Sequence, residues 1–171
     1  MENSSNNQNI SYPYLPEGRE ILYVGMDNYY MASAYKIAKS NSLDKTMPTG
    51  AVIVGPNEGL VSGFGANGSN YHELHGCERV RRNIPTGEQY ELCDGCNPKN
   101  HAEIKAIFNT TAGKVFDADL YLWGHWWCCK DCWDRMIKVG IKNVYLLEGS
   151  EKYFNKDSSE NVIGKQFEFF G

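Results

Sequence analysis

The stretch "NHAEIKAI" (residues 100–107) places a histidine two residues ahead of a glutamate at the start of a helical pattern. Alone, His101 and Glu103 read as an ordinary polar pair on a surface helix. A second stretch, "WWCCKDC" (126–132), changes that reading, because Cys129 and Cys132 stand C-x-x-C apart at the start of another helical pattern. If each helix follows a strand of one sheet, the two helix N-termini lie side by side at the strand ends. His101, Cys129 and Cys132 then converge. The fold to look for is therefore α/β, with helices between successive strands.

Working outward, the elements fit. "ADLYLWG" (118–124) and "NVYLLEG" (143–149) are β-branched and aromatic runs that read as strands. A helix over about 129–140 ends at Gly140, and one from His101 to about Thr111 carries Ile104, Ile107 and Phe108 as its expected apolar stripe. Upstream, "TGAVIVG" (49–55), the turn "PNEG" (56–59) and "LVSGFGAN" (60–67) read as a hairpin. Asp27 is the expected cap of a helix to about Ser42, with Met31, Ala34, Tyr35 and Ala38 on one face. The order α-β-β-α-β-α-β predicts a mixed central sheet covered by helices.

Residues 1–20, rich in Asn and Ser with Pro13 and Pro16, read as a flexible N-terminal arm. Residues 21–171 read as a single domain, with a cysteine-rich insert at about 68–100. The terminal "FEFFG" is expected as a last strand or an oligomer contact.

The chain has 171 residues, 42% hydrophobic and 22% charged, with a net charge of −4. These values suit a soluble globular domain. The acidic balance disfavours a broad electrostatic grip on nucleic acid. "MENSSNNQNI" has no apolar core of a secretory signal, and no stretch of 18 apolar residues exists for a membrane span. The expected compartment is the cytoplasm, where the six cysteines serve as thiols or metal ligands rather than disulfides.

A zinc ion needs three or four N or S donors at about 2.0–2.3 Å. His101, Cys129 and Cys132 supply three and leave one position open, which is the mark of a catalytic rather than a structural site. A helix N-terminus also favours thiolate over thiol. Cys128 is a poorer ligand, because adjacent residues rarely point at one metal. Glu103 lies beside the position a coordinated water would take. Zinc lowers the pKa of such a water from about 15.7 to about 7, and a neighbouring carboxylate can pass its proton to a leaving amine.

"HAE" followed by "CKDC" resembles the cytidine/deoxycytidylate deaminase superfamily, whose H-x-E…P-C-x-x-C pattern is a worked case for nucleobase deaminases. Cys128 stands where that family has proline. "TGAVIV", "SGFGANG", "GCERVRRNIPTGEQYELCDG" (76–95) and "VGIKNVYLL" are similar to deoxycytidylate deaminases in particular, over roughly residues 22–149. The resemblance implies a three-layer α/β/α sandwich and hydrolytic conversion of dCMP to dUMP and ammonia, with dCTP as a second candidate substrate. It implies zinc on His101, Cys129 and Cys132, with Glu103 as the catalytic proton carrier. Substrate contacts would come from Asn67, Ala102 and Trp127, with Tyr121, Trp123 and Trp126 also candidates for the pocket wall. An allosteric nucleotide site would use Gly65, Asn67 and Gly68, with dCTP and dTTP as effectors and Mg2+ accompanying the triphosphate. A homo-oligomer is also implied.

Related enzymes carry a structural zinc in the insert. Here Cys77, Cys93 and Cys96 supply donors, with His72 or His75 as the fourth, and motif alignment favours His72. His125 reads as a core or supporting histidine and Cys128 as a small buried hydrophobe. Arg79, Arg81 and Arg82 read as a solvated face or as phosphate contacts.

Two other functions compete. One keeps the chemistry but takes a base in single-stranded DNA or tRNA, which requires a basic groove with aromatic platforms. The other is a non-catalytic zinc module on Cys93, Cys96, Cys129 and Cys132. Its pair spacing exceeds that of zinc ribbons, and it leaves His101 and Glu103 unused.

Overall fold

The computed structural model describes residues 10–57 and 59–171. Five strands form one mixed sheet: β1 (Ile21–Val24), β2 (Gly50–Val54), β3 (Val61–Ala66), β4 (Asp119–Trp123) and β5 (Asn143–Leu147), in the order β1-β5-β4-β2-β3. β1, β5 and β4 run parallel, while β2 is antiparallel to both β3 and β4. The parallel β4–β5 pair is joined by α5 (Lys130–Val139), a helical crossover of the kind parallel strands need.

Side-chain alternation separates the two faces. Ala51, Ile53, Leu120, Leu122, Val144 and Leu146 turn to one face and pack on α4 (Ala102–Phe108) and α5. Val52, Val54, Tyr121, Trp123 and Leu147 turn to the other, under α1 (Tyr29–Asn41) and α6 (Ser150–Phe154). The central strands are buried on both faces, which is why β2 and β4 read as continuous apolar runs. The result is the expected three-layer α/β/α arrangement.

Met31, Ala34, Tyr35 and Ala38 form the buried stripe of α1, as their spacing predicts, but the cap is Asn28 rather than Asp27. Asn28 Oδ1 accepts the backbone N–H of Tyr30 and Met31, at 3.0 and 3.1 Å. Gly140 ends α5 in the left-handed conformation at φ 87°, as expected.

The structure departs from the sequence reading in further places. β1 had not been expected at all: it is a four-residue edge strand whose burial does not alternate cleanly. "FEFFG" belongs to α7 (Gln166–Phe170), whose Phe167 and Phe170 pack on Trp123 and Tyr35. Phe108 does not seat α4 in the core. It is 89% exposed at the helix C-terminus, and Ala102, Glu103 and Ala106 are the buried residues instead.

Residues 1–9 of the arm lie outside the described residues. Further along the arm, Tyr12 and Tyr14 pack against the α4–α5 core. The insert holds α2 (Tyr71–His75), α3 (Glu78–Arg81) and three short 3-10 turns. Among the described residues no helix is long and apolar enough to cross a membrane.

Candidate active site

The site begins with the glycines of β3. A Cβ at Gly65 would lie 2.5 Å from Ala106 N and 2.7 Å from Ala102 O. A Cβ at Gly63 would lie 2.8 Å from Ala106 O. Only glycine lets α4 lie directly on the strand, backbone against backbone. The alternating glycines of "SGFGANG" thus fix the position of the helix that carries Glu103.

His101 occupies the N-cap of α4, and Cys129 that of α5. The two helix starts meet, as expected. His101 Nδ1 lies 3.4 Å from Cys129 Sγ and 3.4 Å from Cys132 Sγ. The three donor atoms all lie within 4.8 Å of one another. A tetrahedral zinc with donors at about 2.0–2.3 Å has edges of roughly 3.3–3.8 Å, so the donor set fits the ion.

Electrostatics divide the two sulfurs. The Cys132 side chain, with His101, holds Cys129 down at about 5, against the effect of its own burial. Burial and the Cys129 thiolate push Cys132 well up. Burial raises the Glu103 carboxyl, and the Cys129 thiolate adds to this while His101 opposes it. Burial pulls His101 down, but Cys129 and Glu103 outweigh it and leave its pKa raised.

A cavity of about 550 Å³ opens on this group, with His101, Ala102, Glu103 and Cys129 in its wall. Asn67, Gly68 and Trp127, expected as binding residues, line the same cavity, whereas Gly65 lies beneath α4. Asn67 is held by its surroundings. Its Oδ1 accepts from Ser42 Oγ (2.6 Å) and Thr49 N (2.8 Å), and its Nδ2 donates to Met47 O (2.9 Å). It ties the 42–49 loop to the end of β3. Trp127 is buried against Tyr12 at 4.9 Å. Tyr121 and Trp123 belong to the opposite face of the sheet, in the α1 layer, and do not wall the cavity.

The other cysteines form a separate group. His72, Cys77, Cys93 and Cys96 bring four donor atoms within 4.8 Å of one another. His72 Nε2 is 3.2 Å from Cys93 Sγ and 3.6 Å from Cys96 Sγ, and Cys77 Sγ is 3.6 Å from Cys96 Sγ. These edges also suit a tetrahedral ion. His72, not His75, is the histidine in the group. Because Cys93 and Cys96 sit here, the four-cysteine module with Cys129 and Cys132 does not form.

Arg81 and Arg82 pair with Glu78 on the surface. Arg79 is buried, donating to Pro85 O and Glu88 O, both at 2.8 Å, and lying over the Tyr90 ring at 4.5 Å. Tyr90 in turn sets its ring edge-on to His101 at 5.0 Å. Sequence reading had missed Tyr90 and Tyr12 as neighbours of the site. Tyr90 lies in a stretch without periodicity and Tyr12 in the expected arm, so neither carried a signal.

Two solved structures, forms 2 and 1 of Acinetobacter baumannii RibD, resemble the chain with TM-scores of 0.42 and 0.40 at 20% and 22% identity. Each match covers 71% of this chain and 27% of the other, so the chain spans about a quarter of the RibD length. No curated protein matches the sequence. Residues 25–148 match the model of the cytidine and deoxycytidylate deaminase zinc-binding region. That segment takes in every strand but β1, all the donors of both clusters, and Glu103, and the chain belongs to this zinc-binding deaminase family.

Proposed function

We propose that the protein removes the 4-amino group of a deoxycytidine nucleotide by hydrolysis, with dCMP as substrate and dCTP as the next candidate. The observation that carries this reading is Glu103. It is a buried carboxylate two residues after a donor of the three-membered group, and it lines the same cavity.

Zinc held by His101, Cys129 and Cys132 would supply Lewis-acid activation of a water molecule. Glu103 accepts one proton from the attacking water and delivers it to N3 of the base, then takes the second from the hydroxyl added at C4 and delivers it to the departing amino nitrogen. Water oxygen bonds to C4, the C4–N bond breaks, and ammonia leaves. Burial of Glu103 supports this role, because a raised carboxyl pKa brings its proton affinity closer to working pH. Trp127 supplies an apolar wall against which a base can lie.

The insert supports a free nucleotide over a polynucleotide. His72, Cys77, Arg79, Val80, Tyr90 and Cys96 close one side of the cavity. The net charge of −4 offers no extended basic groove. A second, structural zinc on His72, Cys77, Cys93 and Cys96 belongs to the same proposal. So do a homo-oligomer and control by dCTP and dTTP with Mg2+, which rest on the resemblance alone.

Loss of cytosine absorbance on incubation with dCMP, dCTP, cytidine and a cytosine-bearing oligonucleotide tests the reading. Turnover of dCMP is expected, and Glu103→Gln should abolish it while the bound zinc is kept. Turnover of the oligonucleotide alone would overturn the substrate assignment.

A further inference from the structure

His125 stands between β4 and α5, and it lines the cavity that holds His101 and Glu103. Its Nδ1 faces the backbone and accepts the N–H groups of Trp126 (3.1 Å) and Trp127 (3.3 Å). The Trp127 ring, 4.9 Å away and at 88° to the imidazole, braces it. A neutral imidazole carries one N–H. With Nδ1 committed as an acceptor, that hydrogen is on Nε2. No other described residue takes a hydrogen bond from Nε2.

We propose that His125 is a specificity-determining residue that donates its Nε2–H to the 2-carbonyl of the pyrimidine, an inference that rests on the deaminase reading above. The base must present C4 to the three-donor group and its N3 and amino nitrogen to Glu103. The polar atom left on that edge is the 2-carbonyl oxygen, bonded to the ring carbon next to N3. A neutral, fixed donor matches a neutral carbonyl. The phosphate has a better partner in the cationic Lys45, also in the cavity wall. Burial, and then the charge of His101, holds the His125 pKa down to about 4, so the ring stays neutral at pH 7. Its tautomer is fixed before the nucleotide arrives, and no reorganisation is needed on binding.

The test compares dCMP with its 2-thio analogue, whose sulfur is a weaker acceptor. The zinc-loaded full chain is used unmodified and as His125→Phe and His125→Gln. The unmodified protein should prefer dCMP over the analogue about tenfold in kcat/KM, the scale of one neutral hydrogen bond. His125→Phe should lose about tenfold or more on dCMP, little on the analogue, and so lose the preference. His125→Gln should regain much of it, since its amide N–H reaches the place of Nε2–H. Zinc content and melting temperature separate a misfolded variant from an informative one.

Equal losses on both substrates, or no loss, would overturn the role of His125 while leaving the function intact. If dCMP is not turned over at all, the function itself falls, and this contact with it. Should His125→Phe fail to fold, the ring Nε2–H resonance of the unmodified protein decides. It must shift when dUMP, which keeps the 2-carbonyl, is added, and no shift overturns the proposal.

Discussion

Cys129 Sγ accepts the backbone N–H of Cys132 at 3.4 Å. The sulfur thus caps the first turn of α5 and sits at the positive end of its dipole. This arrangement leaves one sulfur as thiolate and one as thiol near neutral pH, because Cys129 is held at about 5 while Cys132 is raised. A bound ion needs both as thiolates. Metal uptake at the His101–Cys129–Cys132 group should therefore release about one proton per ion above pH 7, and more where His101 is protonated as well. Affinity should therefore fall about tenfold for each unit that pH drops from 8, and more steeply where His101 is protonated. Competition with a chromophoric chelator at pH 6, 7 and 8, on a Cys93→Ser/Cys96→Ser background, checks this. An affinity flat across that range would refute it.

Gly65→Ala should lower both stability and activity. The added methyl would lie 2.5 Å from Ala106 N, so α4 must move away from β3. Overpacking of this kind costs about 1–3 kcal/mol. Because His101 and Glu103 belong to the displaced helix, zinc content and kcat should fall together with the melting temperature. A nucleotide-binding role for Gly65 predicts something else, namely a normal melting temperature with an altered response to dCTP. Thermal melts and effector titrations of one variant separate the two.

The donor clusters were legible because the spacing rules for zinc and for helix starts act locally, and α4 and α5 share one face of the sheet, where their starts can meet. The apolar runs at 50–54 and 119–123 were legible for the same reason, since strands buried on both faces need no partner to be recognised. What failed depends on tertiary context. Phe108 fits the helical period, yet α4 ends there and the side chain overhangs solvent. Tyr121 and Trp123 are aromatic and near the motif, but alternation along β4 sends both to the far face. Asp27 and Asn28 are equally good caps by residue type, and only backbone geometry chooses Asn28. The insert has no period to read, so Tyr90 beside His101 emerges only when the chain is folded.

Stability should fall in mild acid, with His125 a main cause. Its pKa is about 4 in the fold against 6.5 for a free histidine, because the buried ring resists charge. Below pH 6.5 the unfolded chain takes up a proton that the folded chain refuses. The stabilisation is therefore complete above about 6.5 and is lost as pH falls towards 4, amounting to about 3 kcal/mol at the bottom of that window. Urea unfolding at pH 7, 5.5 and 4.5, comparing the unmodified chain with His125→Gln, isolates this residue, since the metal donors are common to both. The two proteins should converge as pH drops. Parallel lines would show that His125 titrates alike in both states.

Gly95→Ala should remove one metal ion and spare the other. A Cβ at this position would lie 2.6 Å from His72 Nε2, the atom that approaches Cys93 and Cys96. The imidazole must then leave the group, and three sulfurs on a loop make a weaker and more open site. Metal analysis should fall from two zinc ions per chain to one, with His101, Cys129 and Cys132 still loaded. Cleavage by a protease should appear within residues 68–100, because few apolar side chains there are buried and the ion supplies much of the closure. The kinetic effect should fall on KM more than on kcat. The loosened insert is the wall of the cavity, through His72, Cys77, Arg79, Tyr90 and Cys96, whereas Glu103 stays fixed on α4 over the glycines of β3. A fall in kcat with KM unchanged would mean instead that the second group acts through the Tyr90–His101 contact on the reacting atoms.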